Sequence, residues 1–222
     1  MPFSIAGDTR FDRVAEIAQQ PFHHPSIETF CAGNDVLIAG STWKEDEEML
    51  AVLLNALPGL KLILAPHETD QKHIQGIKQL FKKNILLSEA DDHAQLKDAN
   101  VLIIDCIGIL AKLYRFATIS YVGGGFNPAG IHNILETTAY GKTVIFGPHH
   151  DRTSEAALLI DAGAGFSYTD KETLINLTQK LINDASHRSS LEKIATVFVA
   201  ERTGATDTIL HHIAENRLLS SS

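Results

Sequence analysis

A chain of 222 residues, 44% hydrophobic and 21% charged, is long enough for one large domain with an appended segment and has the composition of a globular protein. Its formal net charge of −8 argues against a basic surface that tracks nucleic-acid phosphates, although backbone amides and helix amino termini can still hold a small anion. Cys31 and Cys106, with no C-x-x-C pair, argue against a disulfide framework or thiolate zinc site and fit a reducing, cytoplasmic compartment; no apolar run approaches the roughly 20 residues that span a bilayer, and Met-Pro-Phe-Ser is no secretory signal.

Along the chain, Phe11, Val14 and Ile17 mark a helix that Pro21 to Pro25 interrupts, so residues 1–34 read as an arm or linker. Asp35 to Ala39 reads as a strand buried on both faces, and the helix after it opens on Thr42-Trp43-Lys44-Glu45, which has capping-box spacing. Leu60 to Ala65 is the next strand, ended by Pro66, and Thr69 to Phe81 has helical spacing. Further strands are expected at Asn84 to Leu87, Val101 to Asp105, Thr118 to Val122, Thr143 to Phe146 and Gly165 to Tyr168. Helices are expected at Ile109 to Phe116, Asn133 to Ala139, Thr153 to Ala162 and Thr173 to Asn183, with two more after Ser186.

This alternation predicts an α/β fold, a Rossmann-like parallel sheet with helices on both faces. The expected division is an arm at 1–34, a nucleotide-sugar-binding domain at 35–185 and packing helices at 186–222. No internal repeat is found, and the terminal serine run is the one low-complexity tract.

In such a sheet ligands gather beyond the carboxyl ends of the strands. Gly123-Gly124-Gly125-Phe126-Asn127-Pro128-Ala129-Gly130 follows a strand and leads into a helix, yet it is neither G-x-G-x-x-G nor a P-loop, because Ile131-His132 follows Gly130. Asn133 and Glu136, three apart in the first turn of the next helix, can present an amide and a carboxylate together to a ribose; the same pair also reads as an N-cap with its N3 acid. Gly108 to Leu110 offers helix-start amides or a plain turn, and Ser41 and Thr42 are hydroxyl donors or caps. Gly124, Gly130 and His132 complete the candidate donor contacts. His149-His150-Asp151 lacks a third spaced ligand, so no metal site is expected, and no complete catalytic set stands out.

These residues resemble the 3-deoxy-D-manno-octulosonic acid (Kdo) transferase family, in the carboxyl-terminal half of its two-domain GT-B fold. The resemblance runs along nearly the whole chain: Gly7-Asp8-Thr9-Arg10-Phe11-Asp12-Arg13, Gly40-Ser41-Thr42 with its acidic helix, Tyr121-Val122-Gly123-Gly124-Gly125-Phe126 up to His132-Asn133-Ile134-Leu135-Glu136, and Gly147-Pro148-His149. It implies that Asn133, Ile134, Leu135 and Glu136 hold the cytidine nucleotide, that Ile107, Gly108 and Ile109 meet its phosphate region, and that Pro66 and His67 flank it. It implies CMP-Kdo as donor, a lipid A precursor as acceptor, inversion at the anomeric carbon, and no required metal or other cofactor. Lipopolysaccharide biosynthesis at the cytoplasmic face of the inner membrane is the implied setting.

Against the family pattern, His67 stands where Arg is usual, with His67 or Lys72 as candidate replacement cations; Ile107 and Ile109 replace Met and Glu, Ile131 replaces Gly, and Thr137 replaces Pro. The family's amino-terminal domain, with its membrane anchor, acceptor site and acidic base, has no counterpart here. The expectation is a fragment starting at the interdomain linker, with no catalytic residue of its own and no sugar transfer. The alternatives are half of another GT-B enzyme using a UDP-sugar, as transferase or epimerase, or a non-catalytic nucleotide-binding module.

Overall fold

A computed structural model describes residues 5–216; the Met-Pro-Phe-Ser start and the terminal serine run lie outside the described residues. Seven parallel strands form one sheet: β1 (Val36–Thr42), β2 (Lys61–Pro66), β3 (Asn84–Leu86), β4 (Val101–Ile103), β5 (Ile119–Val122), β6 (Val144–Phe146) and β7 (Gly165–Ser167), in the order β3-β4-β2-β1-β5-β6-β7. The expected parallel sheet wrapped by helices is therefore the observed fold.

Why the strands read as continuous apolar runs is visible in β1. Leu37 and Ala39 join a core under one face, and Val36 and Ile38 join another, all of them buried. Alternate side chains go to opposite faces, so a strand covered on both sides must be apolar throughout.

The helices are α1 (Thr9–Gln19), α2 (Pro25–Cys31), α3 (Lys44–Ala56), α4 (Gln71–Leu80), α5 (His93–Asp98), α6 (Leu110–Leu113), α7 (Leu135–Thr138), α8 (Ser154–Asp161), α9 (Lys171–Asn183), α10 (Ala185–Ala200) and α11 (Ala205–Glu215). Helices α2 and α5 are not foreseen from the sequence. The first is two turns long with Pro25 at its first position, and buries Ile27 and Phe30; the second is shorter and buries Leu96 alone. Neither offers enough turns for a periodic pattern to show.

The described part of segment 1–34, expected as an arm, packs closely. Phe11 and Val14 are buried beside Phe198 and Val199 of α10. Asp8 accepts from the Arg10 amide, Arg10 pairs with Glu155, and Asp12 accepts from the amides of Gly204 and Thr206. The Gly7 to Arg13 motif thus fastens α1 to α8 and to the start of α11.

Candidate functional site

From β1 the chain fills one side of the sheet, β2 to β4, and then crosses to β5 on the other side. The crevice beyond the carboxyl ends of β1 and β5 is where connections diverge and ligands find room.

Strand β1 ends irregularly there. Its pairing with β2 slips between Gly40 and Thr42, and Ser41 takes φ +54°, a left-handed conformation that costs a non-glycine residue about 1–2 kcal/mol. Thr42 is fully buried and donates its hydroxyl to Glu47 Oε1 at 3.0 Å, so it is not the ligand contact the sequence suggests. The half-buried Ser41 keeps that possibility.

Helix α3 begins one residue later than the capping-box spacing indicates. Trp43 is its N-cap, and Asp46, not Glu45, accepts from the Trp43 amide at 3.0 Å. Asp46 is fully buried and accepts twice more, from the Tyr121 hydroxyl at 2.6 Å and the Gly124 amide at 2.9 Å. Desolvation raises its pKa, against the pull of those three hydrogen bonds. One carboxylate therefore ties α3 to β5 and to the glycine-rich loop. Gly124 is correspondingly corrected as a donor contact: it is buried, its amide belongs to Asp46, and its φ of +92° is one that glycine takes without strain.

The same loop is laced to the segment after β6. A Cβ on Gly125 would lie 2.5 Å from the backbone of Gly147, and the His149 amide donates to Gly125 O at 2.8 Å. Two glycines are needed for that approach. Gly130, φ +90°, sits half-buried under His149 O.

Three rings meet at the rim. Trp43 follows β1, His67 follows β2, and His132 ends the glycine-rich loop after β5. The Trp43 Nε1–H donates to His132 Nε2 at 3.1 Å, with the two rings 14° from parallel. His67 stacks on both, with centroids 4.6 Å from Trp43 and 4.5 Å from His132. Indole and imidazole thus form an edge-joined plate with a second imidazole laid against it. Neither Trp43 nor Asp46 emerges as a site residue from sequence reading, because a single tryptophan and one acid in an acidic run carry no motif.

Burial, and after it the neighbouring His67, holds the His132 pKa below its ordinary range. As pH falls below the imidazole's unfolded pKa of about 6.5, the unfolded chain takes up the proton first, so this contribution to stability is full above that pH and is lost on the way down to the folded pKa. His132→Gln keeps an acceptor for Trp43 and removes the titration. Urea unfolding at pH 7.5 and pH 5.5 should show a smaller acid loss for this variant than for the parent; parallel losses would contradict the assignment.

Asn133 is exposed and Glu136 half-buried, their side chains 3.3 Å apart (Nδ2 to Oε1), at the rim and not in the interior. Helix α7 starts only at Leu135, later than expected, because Asn133 stands outside it and caps the Leu135 amide through Oδ1 at 3.0 Å. The capping reading holds in altered form: Ile134 is the N-cap, while Asn133 accepts from the Leu135 amide through Oδ1 and donates through Nδ2 to Glu136 Oε1. Desolvation raises the Glu136 pKa and Asn133 opposes the rise. Ile134 and Leu135 are buried in the core, which removes their side chains from any ligand.

The expected Ile109 to Phe116 helix is a single turn, α6, followed by a 3-10 turn. Ile107 is 86% exposed and Gly108 is exposed; among the described residues no hydrogen bond occupies the amides of Gly108 and Ile109. Buried Tyr114, shortly after this loop, fills with its hydroxyl the space a Gly40 side chain would need, and its pKa is raised by burial and then by Glu136. Pro66 is buried at the end of β2, leaving His67 as the exposed member of that pair. The structure thus places Ser41, His67, His132, Asn133 and Glu136 at or beyond the carboxyl ends of β1, β2 and β5, and Ile107 to Ile109 beyond that of β4, with His67 against His132 and Asn133 against Glu136.

His149 turns to Asn127 O and His150 to the Phe146 ring, so the two do not converge. Among the described residues, an acid and histidine group whose ligand atoms come within 4.8 Å of one another is Glu68, Asp70 and His73, which the sequence does not flag. Two of these already have partners: Asp70 caps α4, and His73 Nε2 lies 2.8 Å from Glu47.

Comparison with protein-family models finds no match. The chain is 31% identical over 177 residues to 3-deoxy-D-manno-octulosonic acid transferase of Chlamydophila psittaci, covering 78% of this chain and 40% of that protein. It is 28% identical over 179 residues to a bifunctional glycosyltransferase/methyltransferase of Fusobacterium nucleatum, covering 78% of this chain and 27% of that protein. The chain thus spans well under half the length of these relatives. Among solved structures, the C-terminal CMP-Kdo binding domain of WaaA from Acinetobacter baumannii superposes with a TM-score of 0.66 at 18% identity, covering 85% of this chain and 97% of that one. The fold is that of the carboxyl-terminal half of GT-B glycosyltransferases. The chain belongs to the 3-deoxy-D-manno-octulosonic acid transferase family, as a counterpart of its carboxyl-terminal domain.

Proposed function

We propose that this chain binds CMP-Kdo at the β1/β5 rim and serves as the donor half of a transferase that delivers Kdo to a lipid A precursor in lipopolysaccharide biosynthesis. Residues 35–185 form the binding unit in this reading, and the flanking helices brace it. One observation supports the proposal: exposed Asn133 and half-buried Glu136 lie 3.3 Å apart (Nδ2 to Oε1) in the connection that leaves β5, next to the topological switch point. A carboxylate accepts from both hydroxyls of a vicinal diol, as a ribose requires. The free amides of Gly108 and Ile109 suit the phosphate, whose negative charge grows as CMP leaves.

In the transfer itself the acceptor hydroxyl attacks the anomeric carbon, a base takes its proton, and the bond to CMP breaks with inversion. This reading gives the role of base to none of the rim residues. In this proposal it belongs to the part of the relatives' length beyond the match, and the whole protein works at the cytoplasmic face of the inner membrane. Among the described residues no helix is long and apolar enough to cross a membrane.

Two measurements test the reading. Calorimetric titration should show CMP bound at least tenfold more tightly than UMP or UDP, and the chain alone, given CMP-Kdo and lipid acceptor, should release no product. A preference for uridine nucleotides would favour a UDP-sugar enzyme instead, and turnover would place a catalytic base within these residues.

A further inference from the structure

The rim carries an unusual shortage. Ser41, Trp43, His67, His132, Asn133 and Glu136 include neither lysine nor arginine, and the lysines next in sequence, Lys44 and Lys72, belong to α3 and α4, so within the cluster itself an anionic ligand would meet a carboxylate and no permanent cation. The groups that can gain positive charge within the cluster are its two imidazoles. His132 is committed to the neutral state by its own geometry, because Nε2 must keep its lone pair to accept from Trp43 Nε1–H at 3.1 Å. His67 is different. It is exposed, its face lies on the Trp43–His132 plate, and among the described residues neither of its ring nitrogens has a hydrogen-bond partner. Stacking fixes the plane of the ring while leaving its edge free, and an indole face attracts a cation laid on it.

We propose that Trp43 is a positioning residue which, through His132, holds His67 edge-on to the crevice, and that phosphate binding is coupled to uptake of one proton from solvent by His67. The resulting imidazolium donates from its ring nitrogens to phosphate oxygens, and the proton returns to solvent when the ligand leaves. The inference rests on the nucleotide-donor reading and adds the linkage of that site to pH. Histidine is the side chain suited to it, since the imidazole's intrinsic range places its charge change between pH 5 and 8. The other titratable and charged groups on the surrounding elements are His132 and Glu136 on the connection after β5, Lys44, Glu45, Asp46 and Glu47 at the start of α3, and Glu68, Asp70, Lys72 and His73 leading into α4. Glu47 and His73 are paired with each other, and Asp70 is held as the α4 cap.

Trp43 is the chain's one tryptophan, so its fluorescence reports on this site alone. The experiment titrates the 222-residue chain with CMP and with cytidine between pH 7 and 9, above the second ionisation of a phosphate monoester near pH 6, following Trp43 emission and calorimetric heat in buffers of different ionisation enthalpy. CMP affinity should fall by up to about tenfold per pH unit with uptake of up to one proton, while cytidine binds more weakly and without a slope. His67→Arg should bind CMP with no slope. His67→Gln should bind CMP several-fold more weakly than the parent at pH 7, also without a slope. Trp43→Phe, which keeps a ring for stacking and loses the bond to His132, should weaken CMP several-fold while leaving cytidine unchanged. A flat profile for the parent chain, a slope that survives His67→Gln, or equal affinity for CMP and cytidine would overturn the proton linkage while leaving cytidine recognition standing. Binding of neither compound would overturn both.

Discussion

Asp46→Asn should lower the unfolding free energy by about 3 kcal/mol, the largest stability loss expected from an isosteric change in this chain. The carboxylate accepts from the Tyr121 hydroxyl and from the amides of Trp43 and Gly124, and all three bonds lie in or against the interior. Asn can keep its one oxygen on the Trp43 and Gly124 amides, which both donate to Oδ2, and then turns its NH₂ group toward the Tyr121 hydroxyl, whose own proton must go to Tyr168 instead. Two opposing effects decide the sign. Burial raises the Asp46 pKa, so its charge costs stability at neutral pH, and that cost is relieved as pH falls through the folded pKa toward the unfolded value. Removing the charge recovers this cost. Against it stands the loss of charge assistance from three buried bonds of about 1.5–3 kcal/mol each, and this outweighs the gain. Urea denaturation of the two proteins at pH 7 measures the difference. The Tyr121→Phe background, which removes one donor, should shrink it; a loss under about 0.5 kcal/mol would mean that Asp46 does not organise the rim.

The second large effect concerns ligand. Glu136→Ala should weaken CMP binding by roughly two orders of magnitude, equivalent to about 2.7 kcal/mol, since it removes both acceptors offered to a ribose diol. Glu136→Gln, with one acceptor left, should lose about tenfold. Because desolvation raises the Glu136 pKa, the ionised acceptor is also lost from the folded protein at a higher pH than an exposed glutamate would be. Affinity for cytidine, which carries the same ribose without the phosphate, should therefore fall on acidification in the parent and stay level in Glu136→Ala. Full CMP affinity in the Ala variant, measured by calorimetry, would remove Glu136 from the site.

Much of this was legible in the sequence, for identifiable reasons. Buried parallel strands announce themselves as apolar runs, and helices such as α4 and α9 carry periodic faces, so the sheet and its main helices could be placed within a few residues. That Asn133 and Glu136 come together was legible because three-residue spacing at a helix start leaves few geometries. Helices α2 and α5 were not, being too short for periodicity to register. Thr42 and Gly124 misled in an instructive way. A hydroxyl and a loop amide at strand ends suit a ligand, but here buried Glu47 and Asp46, both on α3, occupy them. That exchange depends on which side chains of an acidic run turn inward, which spacing alone does not reveal. The ring plate escaped notice for a related reason: its three members come from three separate connections and touch only once the sheet has formed.

A crystal structure of this chain grown with CMP tests the central claim most directly. The account places the ribose against Asn133 and Glu136 and the phosphate between His67 and the amides of Gly108 and Ile109. Nucleotide found elsewhere, as in the cleft between α3 and α4, with that rim left empty, would contradict it.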